Sequence, residues 1–209
     1  MSKKCIIFDL DGTIVDSMPI LRSFVEHEGL LLDERDISAL RDLPAGEALG
    51  RLGIGMWKLP YFAWRFRGYF RESLPKAVLI SGIEEAVRRL YDEGHTLGVL
   101  TTNSRSNAIA VLERGGIGSR FSFVKSERNT FGKSKALRRI VNGYAMKPET
   151  VWYVGDEVRD MVAAREAGLR SLAVTWGFNS EKALRAANPD EIISRPDDLE
   201  SVISRVIPN

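Results

Sequence analysis

Three things are scarce in this 209-residue chain, and each scarcity removes a class of protein. There is one cysteine, Cys5, so no internal disulfide can form; a small buried apolar residue in a reducing compartment is the expectation. There is almost no charge imbalance, with 30 Lys+Arg against 28 Asp+Glu. Bulk charge therefore predicts neither nucleic acid nor a membrane surface as partner. No apolar run is long enough to span a bilayer, and the basic start MSKKCIIFDL, interrupted by Asp9, does not read as a signal peptide. Internal repeats, low-complexity runs and flexible linkers are also missing. The expectation is a cytoplasmic protein, monomer or homodimer, whose anion recognition, if any, is local.

What the chain does have is alternation. CIIFD (5–9), TLGVLT (96–101), VWYVG (151–155) and SLAVT (171–175) are short, branched and bounded by Gly, Asp or Thr, which reads as buried strands. Between and after them apolar residues recur at helical spacing. Ile83, Ala86, Val87, Leu90 and Tyr91 form one such set, stopping at Gly94. Ala136, Leu137, Ile140, Val141 and Tyr144 form a second, and Leu199, Val202, Ile203 and Val206 a third. Strands alternating with helices predict an α/β fold with a doubly wound, Rossmann-like parallel sheet. From about Ser17 to Ile80 the alternation stops, leaving only helix-like and loop-like sequence rich in Leu, Arg and aromatics. This reads as an all-helical cap domain over 17–80, inserted into an α/β core formed by 1–16 and 81–209.

In a doubly wound sheet, ligands bind beyond the carboxyl ends of the strands. Asp9 ends the first predicted strand, Thr101 ends another, Asp156 follows a third, and Asp11 stands two residues past Asp9. If Asp9, Asp11 and Asp156 converge, each pair at ~5 Å and an effective dielectric of ~20 repels by roughly 3 kcal/mol. Such a set requires a cation or proton uptake, and an oxygen-only site with few carboxylates suits Mg²⁺. Gly12 lets the backbone turn sharply and present amides to an anion, although Asp-Gly is also an ordinary turn. Plainer roles exist for the others. Thr101 in TTNSRSN and Asp156 both suit helix caps, Lys133 and Lys135 suit solvated helix-start charges, and Asp160 suits an exposed helical acid.

Four stretches occur in an order that resembles the motifs of the haloacid dehalogenase superfamily. They are FDLDGTIVDS, LGVLTTNS, the lysine of FGKSKAL, and YVGDEVRD. The chain is most similar to the phosphoglycolate phosphatase-like branch, which carries a helical cap between the first motif and the next helix. The resemblance implies a Mg²⁺-dependent phosphatase acting on a small phosphorylated metabolite. It implies Asp9 as the nucleophile that becomes an aspartyl-phosphate, and Asp11 as the acid and base serving the leaving alkoxide and the attacking water. It implies Mg²⁺ held by the carboxylates of Asp9 and Asp156 and the backbone carbonyl of Asp11. Thr101, with Gly12 and the amides of Thr102 and Asn103, would hold the phosphoryl oxygens. Lys133 would balance charge there, and Asp160 would support the lysine or the metal's waters. Glu157 is a rival ligand. Asp11 sets the chain apart from dehalogenases, which lack an acid at that position, and from transport ATPases, which usually have threonine. A phosphomutase, or a non-catalytic interaction module, is the alternative.

The stretch MWKLPYFAWRFRGYFRESL (56–74) combines seven aromatics with Arg65, Arg67 and Arg71. A basic, aromatic stretch can bind nucleic acid. The expectation here is a cap helix with aromatics inward and arginines in solvent, one of which reaches a substrate's distal anionic group.

Overall fold

The computed structural model describes residues 3–30, 33–127, 129 and 132–205. The chain opens with β1 (Cys5–Phe8) and β2 (Val15–Asp16), then four helices: α1 (Met18–His27), α2 (Glu34–Arg41), α3 (Ala45–Arg51) and α4 (Leu59–Ser73). After β3 (Val78–Leu79) it alternates through α5 (Ile83–Asp92), β4 (Thr96–Thr101), α6 (Arg105–Arg114), β5 (Phe123–Ser126), α7 (Lys133–Gly143) and β6 (Val151–Gly155). It closes with α8 (Val158–Ala167), β7 (Arg170–Val174), α9 (Glu181–Ala186), β8 (Glu191–Ile193) and α10 (Asp198–Ser204).

Six strands form one parallel sheet in the order β5-β4-β1-β6-β7-β8. β1 is buried along its whole length, as a strand covered on both faces must be. Its side chains alternate between two cores: Ile6 and Phe8 pack with α5, α6 and α10, while Cys5 and Ile7 pack with α7 and α8. The chain winds to one side of β1 through β4 and β5, and to the other through β6, β7 and β8. The order reverses at β1, so the crevice at its carboxyl end is where this topology places a ligand.

The helices α1 to α4 lie between β2 and β3 along the chain. β2 and β3 pair antiparallel, Val15 with Leu79 and Asp16 with Val78, so the chain leaves and re-enters the core at one place. The aromatics of α4 divide by helical period. Phe62, Phe66 and Phe70, at i, i+4 and i+8, face Phe24 of α1 and the core, whereas Tyr61 and Trp64 are exposed, as is Trp57 in the short turn before the helix. The expectation that the aromatics pack inward is corrected: a single helix offers one stripe to a neighbour, and the six aromatics of α4 overfill it. Tyr91 and Tyr144, counted above as inward positions, are also about half exposed, and Val206 lies outside the described residues.

Candidate active site

Asp9 follows β1, and its amide donates to the carbonyl of Val154 in β6, extending the sheet pairing by one residue (2.8 Å). The chain then turns: the amides of Thr13, Ile14 and Val15 all converge on Leu10 O, with Gly12 at φ +76°. The Gly12 amide donates to Val15 O (2.9 Å). In this structure Gly12 thus supplies space and not a phosphate donor, a correction to the sequence reading. A Cβ on Gly12 would stand 2.2 Å from Asp156 Oδ2, and one on Gly177 would stand 2.3 Å from the same oxygen. No side chain fits at either place.

Thr101 ends β4 and is fully buried; its Oγ1 accepts the amide of Asn103 (2.9 Å). It is not the cap of α6. Ser104 is, its Oγ accepting from the amide of Asn107 (3.1 Å). The Asn103 side chain turns to the first motif, and its Nδ2 donates to Asp11 Oδ2 (3.1 Å).

Lys133, the first residue of α7, is 2% exposed. Its Nζ donates to Asp9 Oδ2 (2.8 Å) and to Asp160 Oδ1 (2.6 Å), and lies 5.6 Å from the centroid of the Tyr153 ring. Burial alone would favour the neutral amine, but Asp160 and Asp9 outweigh it and hold the group as an ammonium, well above the usual lysine pKa. Lys135, the rival by sequence, is exposed. Asp160 is fully buried, and its other oxygen accepts the amide of Glu157 (3.2 Å).

Asp156 follows β6. Its Oδ1 accepts from Thr13 Oγ1 (2.7 Å) and its Oδ2 from the Phe178 amide (2.7 Å). Glu157 is the residue that caps α8, and it pairs with Arg159 (2.5 Å). Asp9, Asp156 and Asp160 each offer an oxygen within 4.8 Å of the others. Asp9 Oδ1 is buried without a hydrogen-bond partner. Burial chiefly raises Asp9, to about 6, and Asp11, to about 7, the latter then also by Asp9, both above the ordinary carboxylate range. Asp156 is pushed up strongly, by burial first and then by Glu157, Asp160 and Asp9.

The structure therefore gathers Asp9, Asp11, Thr101, Asn103, Lys133, Asp156 and Asp160 at the carboxyl ends of three adjacent strands, β4, β1 and β6. Sequence reasoning notes Thr13 beside Gly12 but gives it no role; here its hydroxyl donates to Asp156. It reads TWGFNS (175–180) as a further loop near the site, with Gly177 a turn residue, but not its part there: the Phe178 amide and Gly177 wall in Asp156. In the same loop the fully buried Asn179 side chain accepts from the Val158 amide (2.9 Å) and donates to Arg41 O (2.9 Å) and Leu43 O (2.8 Å) at the end of α2. Arg41 answers with bonds to Phe178 O and Gly177 O, both 3.0 Å. Of the three arginines on α4, Arg65 pairs with Glu28 (2.5 Å), Arg67 reaches Thr102 O (3.2 Å), and Arg71 lines a separate polar recess.

This arrangement has relatives. The chain is 35% identical to a phosphoglycolate phosphatase from Synechococcus elongatus, over 98% of this chain and 99% of that protein. It is 31% identical to the probable phosphatase IndB of Dickeya dadantii, over 91% and 89%. A solved haloacid dehalogenase-like hydrolase from Streptococcus pneumoniae superposes with a TM-score of 0.80 at 24% identity, over 97% of this chain and 99% of that one. The family model described as haloacid dehalogenase-like hydrolase matches residues 6–174, from the second residue of β1 to the last of β7. That span takes in all four of the separated motifs whose side chains meet at the sheet's switch point, and the chain belongs to the haloacid dehalogenase-like hydrolases.

Proposed function

We propose that the chain is a Mg²⁺-dependent phosphatase, hydrolysing a small phosphomonoester through an aspartyl-phosphate on Asp9. The observation that carries this reading is the pairing of two unlike carboxyls two residues apart. Asp9 is bound to a permanent cation and keeps one oxygen open, while Asp11 sits near neutrality with a pKa of about 7. A nucleophile must be ionised, and a proton donor must hold its proton at working pH.

Asp9 attacks phosphorus, a P–O bond forms to its carboxylate, and the bond to the ester oxygen breaks. Asp11 delivers its proton to the departing alkoxide. In the second half Asp11, now ionised, takes a proton from water as that water attacks phosphorus. Asp9 leaves as carboxylate, and inorganic phosphate is released. Asn103 holds Asp11 in place through its Nδ2. Lys133 offsets the charge gathering beside Asp9, and Thr101 faces the same rim as donor to the phosphoryl oxygens.

The unpartnered Asp9 Oδ1 and the close set of buried acids fit a hard cation, and Asp9, Asp156 and the backbone carbonyl of Asp11 would hold it, with Asp160 kept on Lys133. Bound there, the ion supplies positive charge that offsets the carboxylates and the phosphoryl oxygens. The helical segment 17–80 serves in this reading as the cap over the site. No described helix is long and apolar enough to cross a membrane, and the lone buried thiol of Cys5, raised to about 12 by burial, suits a reducing cytoplasm. The reading is tested by phosphate release from p-nitrophenyl phosphate with Mg²⁺. Release is expected to depend on the ion and to vanish in Asp9→Asn; an Asp9→Asn enzyme of full activity overturns it.

A further inference from the structure

A cavity of about 630 Å³ opens between the helical segment and the catalytic rim. It is continuous with the proposed chemistry, because Asp11, Gly12, Asn103 and Asp156 form one end of it. The other end is built by all four inserted helices from Val25, Ile37, Leu49, Leu52, Phe62 and Phe66, each only partly buried because it faces this space. The size falls in the range of about 300–1,000 Å³ typical of sites that enclose drug-sized ligands. A phosphate on a two-carbon acid fills a small part of it.

Charge is distributed unevenly along the cavity. Each arginine that lines it has a partner already: Arg22 the carboxylate of Glu26, Arg41 the carbonyls of Gly177 and Phe178, Arg67 the carbonyl of Thr102, and Arg159 the carboxylate of Glu157. Three of these four partners belong to the loops around the catalytic acids, so the cationic groups are drawn to the phosphate end. Among the described residues no lysine or histidine lines the cavity. Of the described cations Arg22 is the one left on the helical side, and Glu26 offsets its charge. A carboxylate seated against the aliphatic wall would therefore lose its hydration with no unneutralised ion to replace it, whereas a hydrocarbon group there would leave water favourably.

We infer that the substrate of this site is an amphiphilic phosphomonoester, a phosphate carried on a bulky aromatic or branched-aliphatic alcohol, and not a short acidic one. This rests on the phosphatase reading, and the experiment separates the two. The whole protein with Mg²⁺ is assayed on four esters of primary alcohols, so that leaving-group chemistry is held nearly constant: ethyl phosphate, n-hexyl phosphate, 2-phenylethyl phosphate and phosphoglycolate. The expected kcat/KM rises at least tenfold from ethyl to 2-phenylethyl phosphate, and the 2-phenylethyl ester surpasses phosphoglycolate. Val25→Thr, which keeps the side chain's shape, and Leu49→Asn each reduce the 2-phenylethyl to ethyl ratio at least threefold. Phosphoglycolate matching or exceeding the 2-phenylethyl ester, or a ratio indifferent to both substitutions, overturns the inference. Should no ester turn over, the phosphatase reading fails, and calorimetric binding of two phosphonates decides this one. At least tenfold tighter binding of 3-phenylpropylphosphonate than of 3-phosphonopropionate supports it, and equal or weaker binding overturns it.

Discussion

The acidic rim and the cavity wall above it are built on opposite principles. At the rim nearly every polar atom is committed to a named partner: Lys133 to two carboxylates, Asp156 to a hydroxyl and an amide, Asp11 to an amide side chain. Along the wall the helices offer aliphatic and aromatic surface with no directional bonds. The rim depends on the identity of single residues, because removing one partner strands a buried charge. The wall depends on volume and polarity, which many side chains satisfy equally.

Substitutions on the two sides should therefore differ in kind. The largest effect belongs to Asp9→Asn, expected to lower turnover by ~10⁴-fold or more while leaving the circular dichroism spectrum unchanged. Lys133→Met should destabilise the ion-free protein by ~3–5 kcal/mol in urea at pH 8, since Asp9 and Asp160 would stay buried without their cation. That loss should shrink at pH 5.5, where Asp9, raised to about 6 even in the intact site, takes up a proton.

The wild-type rim carries the same signature in milder form. Asp9 and Asp11, at about 6 and about 7 in the fold, lie above an ordinary carboxylate in the unfolded chain. Between pH 5 and 7.5 the folded state thus holds more protons than the unfolded one, and stability falls as pH rises. Urea midpoints in chelator should move downward across this window. Mg²⁺ at a hundred times its dissociation constant should add ~2.7 kcal/mol and flatten the slope.

Asn179→Ala, which strips partners from the Val158 amide and the Leu43 carbonyl, should cost ~1–3 kcal/mol by thermal or urea melting. The smallest effect is expected on the outer face of α4, where Trp64→Ala should change stability by no more than ~0.5 kcal/mol and leave phosphate release intact. A loss of activity there would revive the exposed aromatics as a functional surface.

The sequence spoke clearly where burial was two-sided. β1, β4, β6 and β7 lie inside the sheet, and their unbroken apolar runs place them within a residue of the observed bounds. β5 (FVKS) and β8 (EII) went unread because they are the edges, short and mixed with polar residues, so their apolar signal is weak. Asp9, Asp11, Thr101, Lys133 and Asp156 could be picked out as candidates because each starts, ends or follows a recognisable element. Lys133 is preferred over Lys135 in the sequence because it directly follows Gly132; both start the same helix, and in the structure the first is buried and the second exposed. The loop bearing Gly177 and Asn179 was legible only as a loop near the site. Its part is to bond backbone atoms on α2 and α8, and backbone partners leave no trace in residue type.

Gly12 and Gly177 stand on two sides of Asp156, each too near for even a methyl group. Change at these two points is therefore closed to any lineage or laboratory that wishes to keep this carboxylate where it is. Diversification must be displaced onto the inserted helices, whose cavity-facing residues can be exchanged without touching the acid. A library aimed at new selectivity belongs on α1 to α4, and one aimed at new chemistry begins by finding another home for Asp156.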